Sequence, residues 1–262
     1  MLSQKRLFMR ALSLLVPLCA ALSVNAQDFA REARWRAEIE PAIVVGEPVM
    51  LKHSVRFSAP DFLAIFTEAK GGEQAAKAGL VLIHGAGVHP DHGVTGALRV
   101  ALAEAGYSTL SVQMPVQGRD AQAEDYRKIF PNAHDRIARA ASYMQNRGYN
   151  KLILVTHSMG AWMANEYFDA NAQQPYAAWV SIGITGGFSN ARWGRPPPIF
   201  DVYGQNDLRV TLDAAPARFR AIKDTAGSAQ AQIPDADHYF TGQEKAISAT
   251  IARWLDGFTK AK

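Results

Sequence analysis

Residues 151–162 read KLILVTHSMGAW, and this stretch decides how the rest of the chain is read. Leu152, Ile153, Leu154 and Val155 form a short apolar run of the kind that makes a strand buried on both faces. From Ala161 to Phe168 the pattern turns helical, with Met159, Met163 and Tyr167 spaced by four. Ser158 falls in the sharp turn between strand and helix. Such a turn lifts a hydroxyl clear of the sheet and aims the first free amides of the helix at whatever that hydroxyl attacks. Strand and helix nearly touch there, so small residues are needed two before and two after the serine. Gly160 meets the need, Thr156 only in part, and the usual G-x-S-x-G pattern is thus altered at its first position. A serine in an ordinary βα loop would look similar, so the partners of Ser158 must decide.

Outward from this stretch, strands alternate with helices. Leu80–Ile83, Ser108–Val112, Ala177–Ile184, Pro198–Tyr203 and Ala229–Ile233 read as strands. Thr95–Ala105, His134–Arg147, Ala214–Thr225 and Gln243–Phe258 read as helices, and Arg119–Ala133 as a polar excursion. The pattern predicts an α/β fold, a mostly parallel sheet with helices on both faces. Upstream, a helix is expected over Gln27–Glu40. Val49–Phe57 and Asp61–Glu68 are expected as antiparallel strands at the sheet edge, and Lys70–Gly79 as a loop.

Ligands in such sheets bind at the carboxyl ends of the strands. His84-Gly85-Ala86, Ser158, Asp207 and His238 all fall there. A serine hydroxyl is a poor nucleophile at neutral pH and needs a base and a group to hold that base. His238, after the last strand, is the expected base, and Asp207, after the strand before it, the expected orienter. Asp201 is a rival acid, but it falls inside a strand. The oxyanion formed on attack needs about two preorganised donors, for which the amides of Met159 and Ala86 are placed. His157 either touches substrate or packs in the turn. Trp193, Phe188 and Tyr239 either line an acyl pocket or belong to the core. His84, His89, Asp91 and His92 could suggest a metal site, but a loop followed by a helix start explains them without one. The scheme needs no metal or cofactor.

From about Leu80 onward the chain resembles the α/β-hydrolase superfamily. The matching features are His84-Gly85-Ala86-Gly87, Thr156-His157-Ser158-Met159-Gly160, Gly204-Gln205-Asn206-Asp207 and Asp237-His238. The chain order Ser158, Asp207, His238 is that of the superfamily's triad. The N-terminal part, with Trp35, Ile39-Glu40-Pro41 and Val45-Gly46-Glu47-Pro48, looks like an exported bacterial branch of unassigned function. The resemblance implies the fold, the triad and the oxyanion hole for the residues named. It implies no substrate, because the fold hosts esterases, lipases, peptidases, thioesterases and some non-enzymes.

The 262 residues, 48% hydrophobic and 20% charged, are an ordinary globular composition. Residues 1–26 have the pattern of a secretory signal peptide: Lys5, Arg6 and Arg10, then an uncharged apolar stretch, then Val24-Asn25-Ala26 for cleavage. The apolar stretch falls short of the roughly 20 residues a spanning helix needs, so no stable membrane anchor is expected after cleavage. The expected destination is the bacterial periplasm. Removing this segment takes away three basic residues and no acid, so the net charge of +4 falls to +1. No Lys/Arg cluster suggests nucleic acid. Cys19, the single cysteine, goes with the segment, which excludes a disulfide or thiol nucleophile in residues 27–262. Those residues are expected to form one domain without a separate lid, since Gly186–Pro197 is too short to be one.

The sequence thus points to an exported serine hydrolase acting on a small-molecule acyl substrate through an acyl-enzyme. The alternative is a non-catalytic envelope protein that keeps the fold for binding. Oligomeric state is not legible.

Overall fold

The computed structural model describes residues 27–55, 59–189 and 197–260. The expected signal peptide, residue Trp193 and most of the stretch Gly186–Pro197 lie outside the described residues.

The elements follow in chain order. Helix α1 (Phe29–Ile39) precedes strands β1 (Glu47–Leu51), β2 (Phe62–Thr67) and β3 (Gly79–Ile83). Then come α2 (Gly93–Glu104), β4 (Ser108–Val112), α3 (Phe130–Asn146), β5 (Leu152–His157) and α4 (Met159–Ala170). The chain closes with β6 (Tyr176–Ile182), β7 (Ile199–Asn206), α5 (Arg209–Ile222), β8 (Ala229–Asp237) and α6 (Glu244–Lys260). The eight strands lie in the order β1-β2-β4-β3-β5-β6-β7-β8. β1–β2 and β2–β4 pair antiparallel, and every other neighbour is parallel. This is an α/β-hydrolase fold with an antiparallel N-terminal edge.

The apolar runs are buried on both faces because each face carries helices. In β3, Val81 and Ile83 face one core with Leu152 and Leu154 of β5, under α3 and α4. Leu80 and Leu82 face the other with Ile153 and Val155, under α2 and α6. A period-two alternation thus feeds two apolar layers rather than one. Helix α6 meets its layer through Ile247, Ile251 and Leu255, four apart, all fully buried. Its Trp254 stacks on Phe200 of β7, with ring centroids 5.1 Å apart.

Several element ends differ from those expected. β1 starts two residues early and stops at Leu51 rather than reaching Phe57. β2 is fully buried because it sits between β1 and β4, so of these two strands only β1 lies at an edge. The expected polar excursion Arg119–Ala133 contains a 3-10 turn, Ala123–Ile129, that buries Tyr126 and Ile129. Helix α3 begins at Phe130 rather than His134, because Pro131 lies in its first turn, where no amide donor is needed. Helix α5 begins at Arg209 rather than Ala214 and carries Pro216 within it. β7 and β8 each run longer, to Asn206 and Asp237. Asp207 and His238 are therefore the first residues beyond two adjacent strands.

Candidate active site

Ser158 stands alone between β5 and α4 with φ 55° and ψ −118°. This is a region that side-chain-bearing residues avoid, and it costs of order 1–3 kcal/mol. The surroundings hold it there. The Ser158 amide donates to the Ile182 carbonyl of β6 (2.9 Å), and its carbonyl accepts from Ala161 (2.9 Å) as helix α4 starts. The glycine two places on is required by contact: a Cβ on Gly160 would lie 2.5 Å from the His84 carbonyl oxygen and 2.9 Å from that of Ile83. Thr156, where a small residue is usual, is paired with Ile83 of β3. Its hydroxyl instead accepts from the indole of Trp179 (2.8 Å), which closes the core beneath the turn.

Three side chains meet at the rim. His238 Nε2 lies 2.9 Å from Ser158 Oγ, and its Nδ1 lies 2.6 Å from Asp207 Oδ1. Asp207 also accepts from the amides of Gly204 (3.2 Å) and Leu208 (2.7 Å). Burial pushes its pKa up, but the hydrogen bond and charge of His238 and the two amides outweigh that and hold the carboxyl below its usual range. A carboxylate that stays ionised on Nδ1 fixes the imidazole with Nε2 free to take a proton. Asp201 goes elsewhere. It and Arg218 of α5 are both fully buried and form an ion pair of 2.9 Å. Arg218 also donates to the carbonyls of Ile184 and Gly186, so the pair anchors the loop after β6.

The loop after β3 passes against the turn so closely that a Cβ on Gly85 would lie 3.2 Å from that of Ser158. His84 sets its path. The Met114 amide donates to His84 Nε2 (2.9 Å), so the proton is on Nδ1, which donates to the Gly85 carbonyl (2.8 Å). Carbonyl and N–H of one trans peptide point in opposite directions. The His84 bond to the Gly85 oxygen thereby fixes the peptide that leads into Ala86, and Ala86 lines the cleft. The Met159 amide opens helix α4 on the other side of the same cleft. Ala86 and Met159 thus line the same cleft as Ser158.

The cleft has a volume of about 580 Å³ and is lined by Val88, Val94, Tyr126, Met159, Leu208 and Tyr239 around Ser158 and His238. Tyr239 stands on its rim, 64% exposed. Phe188 is not among the lining residues. It packs edge-on against Trp179, ring centroids 5.2 Å apart, and so serves the core. His157 donates from Nε2 to the His238 carbonyl (2.9 Å), which steadies the backbone at His238. Of the four residues open to a metal reading, two have other partners. His84 is bonded on both ring nitrogens, and Asp91 pairs with Arg99 at 2.6 Å.

Sequence reasoning missed Tyr126 and Val94 as cleft residues and Arg218 as a partner for Asp201. Arg218 was findable: Thr211, Ala215, Arg218 and Ile222 form the inward stripe of α5. A charge on such a stripe asks for a buried counter-charge.

His84 and His157, 1% and 7% exposed, are held neutral chiefly by burial, with pKa values of about 3 and about 4 against a usual 6.5. The unfolded chain therefore takes up more protons than the folded one below pH 6.5, and stability must fall on acidification. Each histidine contributes about 1.4 kcal/mol per pH unit from there down to its folded value. Asp207, depressed in the fold, adds a loss in the same direction once the pH falls below the usual aspartate value. Calorimetry between pH 7 and 4.5 should show a steadily falling Tm. A flat Tm would contradict the neutral, buried state of both rings.

The sequence pattern described as the alpha/beta hydrolase family matches residues 80–259. No curated protein sequence matches the chain. Solved structures share the architecture. An α/β serine hydrolase without lid from Xanthomonas campestris superposes with a TM-score of 0.62 at 16% identity, covering 84% of this chain and 98% of its own. A soluble variant of monoglyceride lipase from Saccharomyces cerevisiae gives 0.63 at 14% identity, covering 82% and 96%. Dienelactone hydrolase from Anabaena variabilis gives 0.60 at 18% identity, covering 80% and 98%. At such identities the likeness is one of fold.

Proposed function

The chain belongs to the alpha/beta hydrolase family, and from that premise we propose that it is an exported serine hydrolase that cleaves esters or related acyl compounds through an acyl-enzyme. The observation that carries the reading is the unbroken line of hydrogen bonds from Ser158 through His238 to Asp207, at 2.9 and 2.6 Å. In this reading His238 takes the Ser158 proton as Oγ attacks the acyl carbon. The carbonyl oxygen becomes an oxyanion that accepts from the amides of Ala86 and Met159. As the tetrahedral adduct collapses, the bond to the leaving group breaks and His238 returns the proton to it. Water then attacks the acyl carbon as His238 accepts its proton, and the acyl–Oγ bond breaks as His238 passes that proton to Ser158 Oγ, which frees the acid.

Esters are the first choice of substrate because the cleft is largely apolar and the structural relatives named above include a monoglyceride lipase and a dienelactone hydrolase. Access is taken to be open. Gly186–Pro197 is too short for a lid, and a lidless hydrolase is among the structural neighbours. Export rests on residues 1–26 alone. Among the described residues no helix is long and apolar enough to cross a membrane. A purely binding role would leave His238 no reason to sit between a carboxylate and a strained serine. Purified residues 27–262 should hydrolyse at least one member of a p-nitrophenyl ester series from acetate to laurate. Failure across the whole series, with the protein folded, would return the binding reading.

A further inference from the structure

Helix α1 lies upstream of the family-matched residues 80–259, yet it is tied to the loop that carries the Ala86 amide. Arg31 is the direct link. Its guanidinium donates from Nη2 to the Gly87 carbonyl (2.9 Å) and from Nη1 to the Gln117 carbonyl (3.1 Å). It thereby bridges the segments leaving β3 and β4. The same guanidinium lies 4.5 Å over the ring of Trp35, which in turn packs 5.8 Å from the His89 ring in the same loop. Gly87 has φ 68°, a conformation that local sequence does little to hold without an outside contact.

Other bonds from the same helix converge on the β4 exit. The Asp28 amide donates to the Val116 carbonyl (2.7 Å), and the Val116 amide donates to Glu32 Oε1 (3.3 Å). Glu32 Oε2 pairs with the fully buried Arg136 of α3 (2.8 Å), whose Nη1 donates to the Gln113 carbonyl (2.8 Å). The next amide, that of Met114, is the donor that sets the His84 tautomer. The oxyanion loop is thus held at both ends by polar contacts that begin on α1, directly at Gly87 and through the β4 exit at His84. Of the residues of α1 only Glu32 is buried, so the helix is docked by these bonds rather than by an apolar face.

We propose that α1 is a brace that holds the Ala86 amide in donating position, with Arg31 as its positioning residue. The inference rests on the hydrolase reading above. Arg31 touches no reacting atom. Its guanidinium fork spans two carbonyls that an ammonium cannot hold together. Losing it unties the Gly87 carbonyl from α1, and the oxyanion loses geometry rather than the substrate losing contacts. The effect belongs in kcat.

The test uses the chain from Gln27 with Arg31→Ala, Arg31→Lys and, as a control on the exposed side of the same helix, Arg34→Ala. Steady-state kinetics on the best p-nitrophenyl ester are read beside Tm and beside the affinity for a trifluoromethyl ketone, whose adduct with a serine carries the same oxyanion. Arg31→Ala should lose about 10- to 100-fold in kcat with KM little changed. Ketone affinity should fall in parallel, and Arg34→Ala should match wild type. Arg31→Lys should lie between. If Arg31→Ala does not fold, Arg31→Lys decides: unchanged kcat and ketone affinity overturn the brace. Wild-type kcat in Arg31→Ala overturns it outright, as does a loss confined to KM or Tm. An inert wild type sinks the hydrolase reading and the brace with it, whereas an active wild type with an indifferent Arg31 sinks the brace alone.

Discussion

Ser158→Ala is expected to abolish ester hydrolysis, with a fall in kcat of about 10⁵-fold or more, while Tm stays at or above the wild-type value. The size of the loss follows from what one oxygen does. In the proposed mechanism it forms the covalent bond to the acyl group, and it is the hydroxyl that His238 Nε2 contacts at 2.9 Å. His157 is bonded to the His238 carbonyl and held neutral by burial, so it offers no substitute nucleophile. The stability expectation follows from the backbone. Ser158 sits at φ 55° because its neighbours force it there, not because its hydroxyl holds the turn. Among the described residues that hydroxyl bonds to His238, so alanine removes little that supports the fold. Residual turnover within tenfold of wild type would mean that another group or a bound water does the attack.

The second large effect separates the two buried aspartates. Asp207→Asn should lower kcat by about 10⁴-fold with modest loss of stability, because an amide facing His238 Nδ1 favours the wrong tautomer and cannot stabilise the imidazolium. Asp201→Asn should do the reverse. Arg218 would keep its charge in a fully buried site without its partner, at a cost of about 3–5 kcal/mol in stability. Catalysis by the fraction that remains folded should be near normal. Activity per folded molecule and denaturant midpoints, measured on both variants, check the pair. If the two phenotypes were exchanged, the carboxylate on His238 in solution would not be Asp207.

How far the sequence reached can be seen at these residues. The buried run Leu152–Val155, followed at once by Ser158 and Gly160, was legible because its cause is local. Apolar β-branched residues make a central strand, and only a residue without a side chain fits 2.5 Å from the His84 carbonyl. The mostly parallel sheet was legible from the alternation of strand and helix patterns, as was the expectation that polar residues at the carboxyl ends would lie together. Asp207 and His238 do meet beside Ser158.

Element ends were less legible where proline has two meanings. Pro131 looks like a breaker but begins α3, and Pro216 sits within α5. The buried charges were not read at all. Glu32, Arg136 and Arg218 lie in helices whose charged residues look solvated, and only the pairing across distant elements gives them a place inside. Phe188 is a case the sequence leaves open between pocket and core. An aromatic residue near the site was a candidate for the pocket, but the nearest apolar surface was Trp179. Tyr126 was overlooked because its polar neighbours Asp125 and Arg127 marked the segment as a loop.

The central claim is that Ser158 is a nucleophile primed by His238. Brief exposure of the folded chain to a fluorophosphonate probe, followed by peptide mass spectrometry, tests it most directly. The account predicts one adduct, on the peptide carrying Ser158, and none in Ser158→Ala. A folded wild-type protein that takes up no probe, or takes it up on another residue, would contradict it.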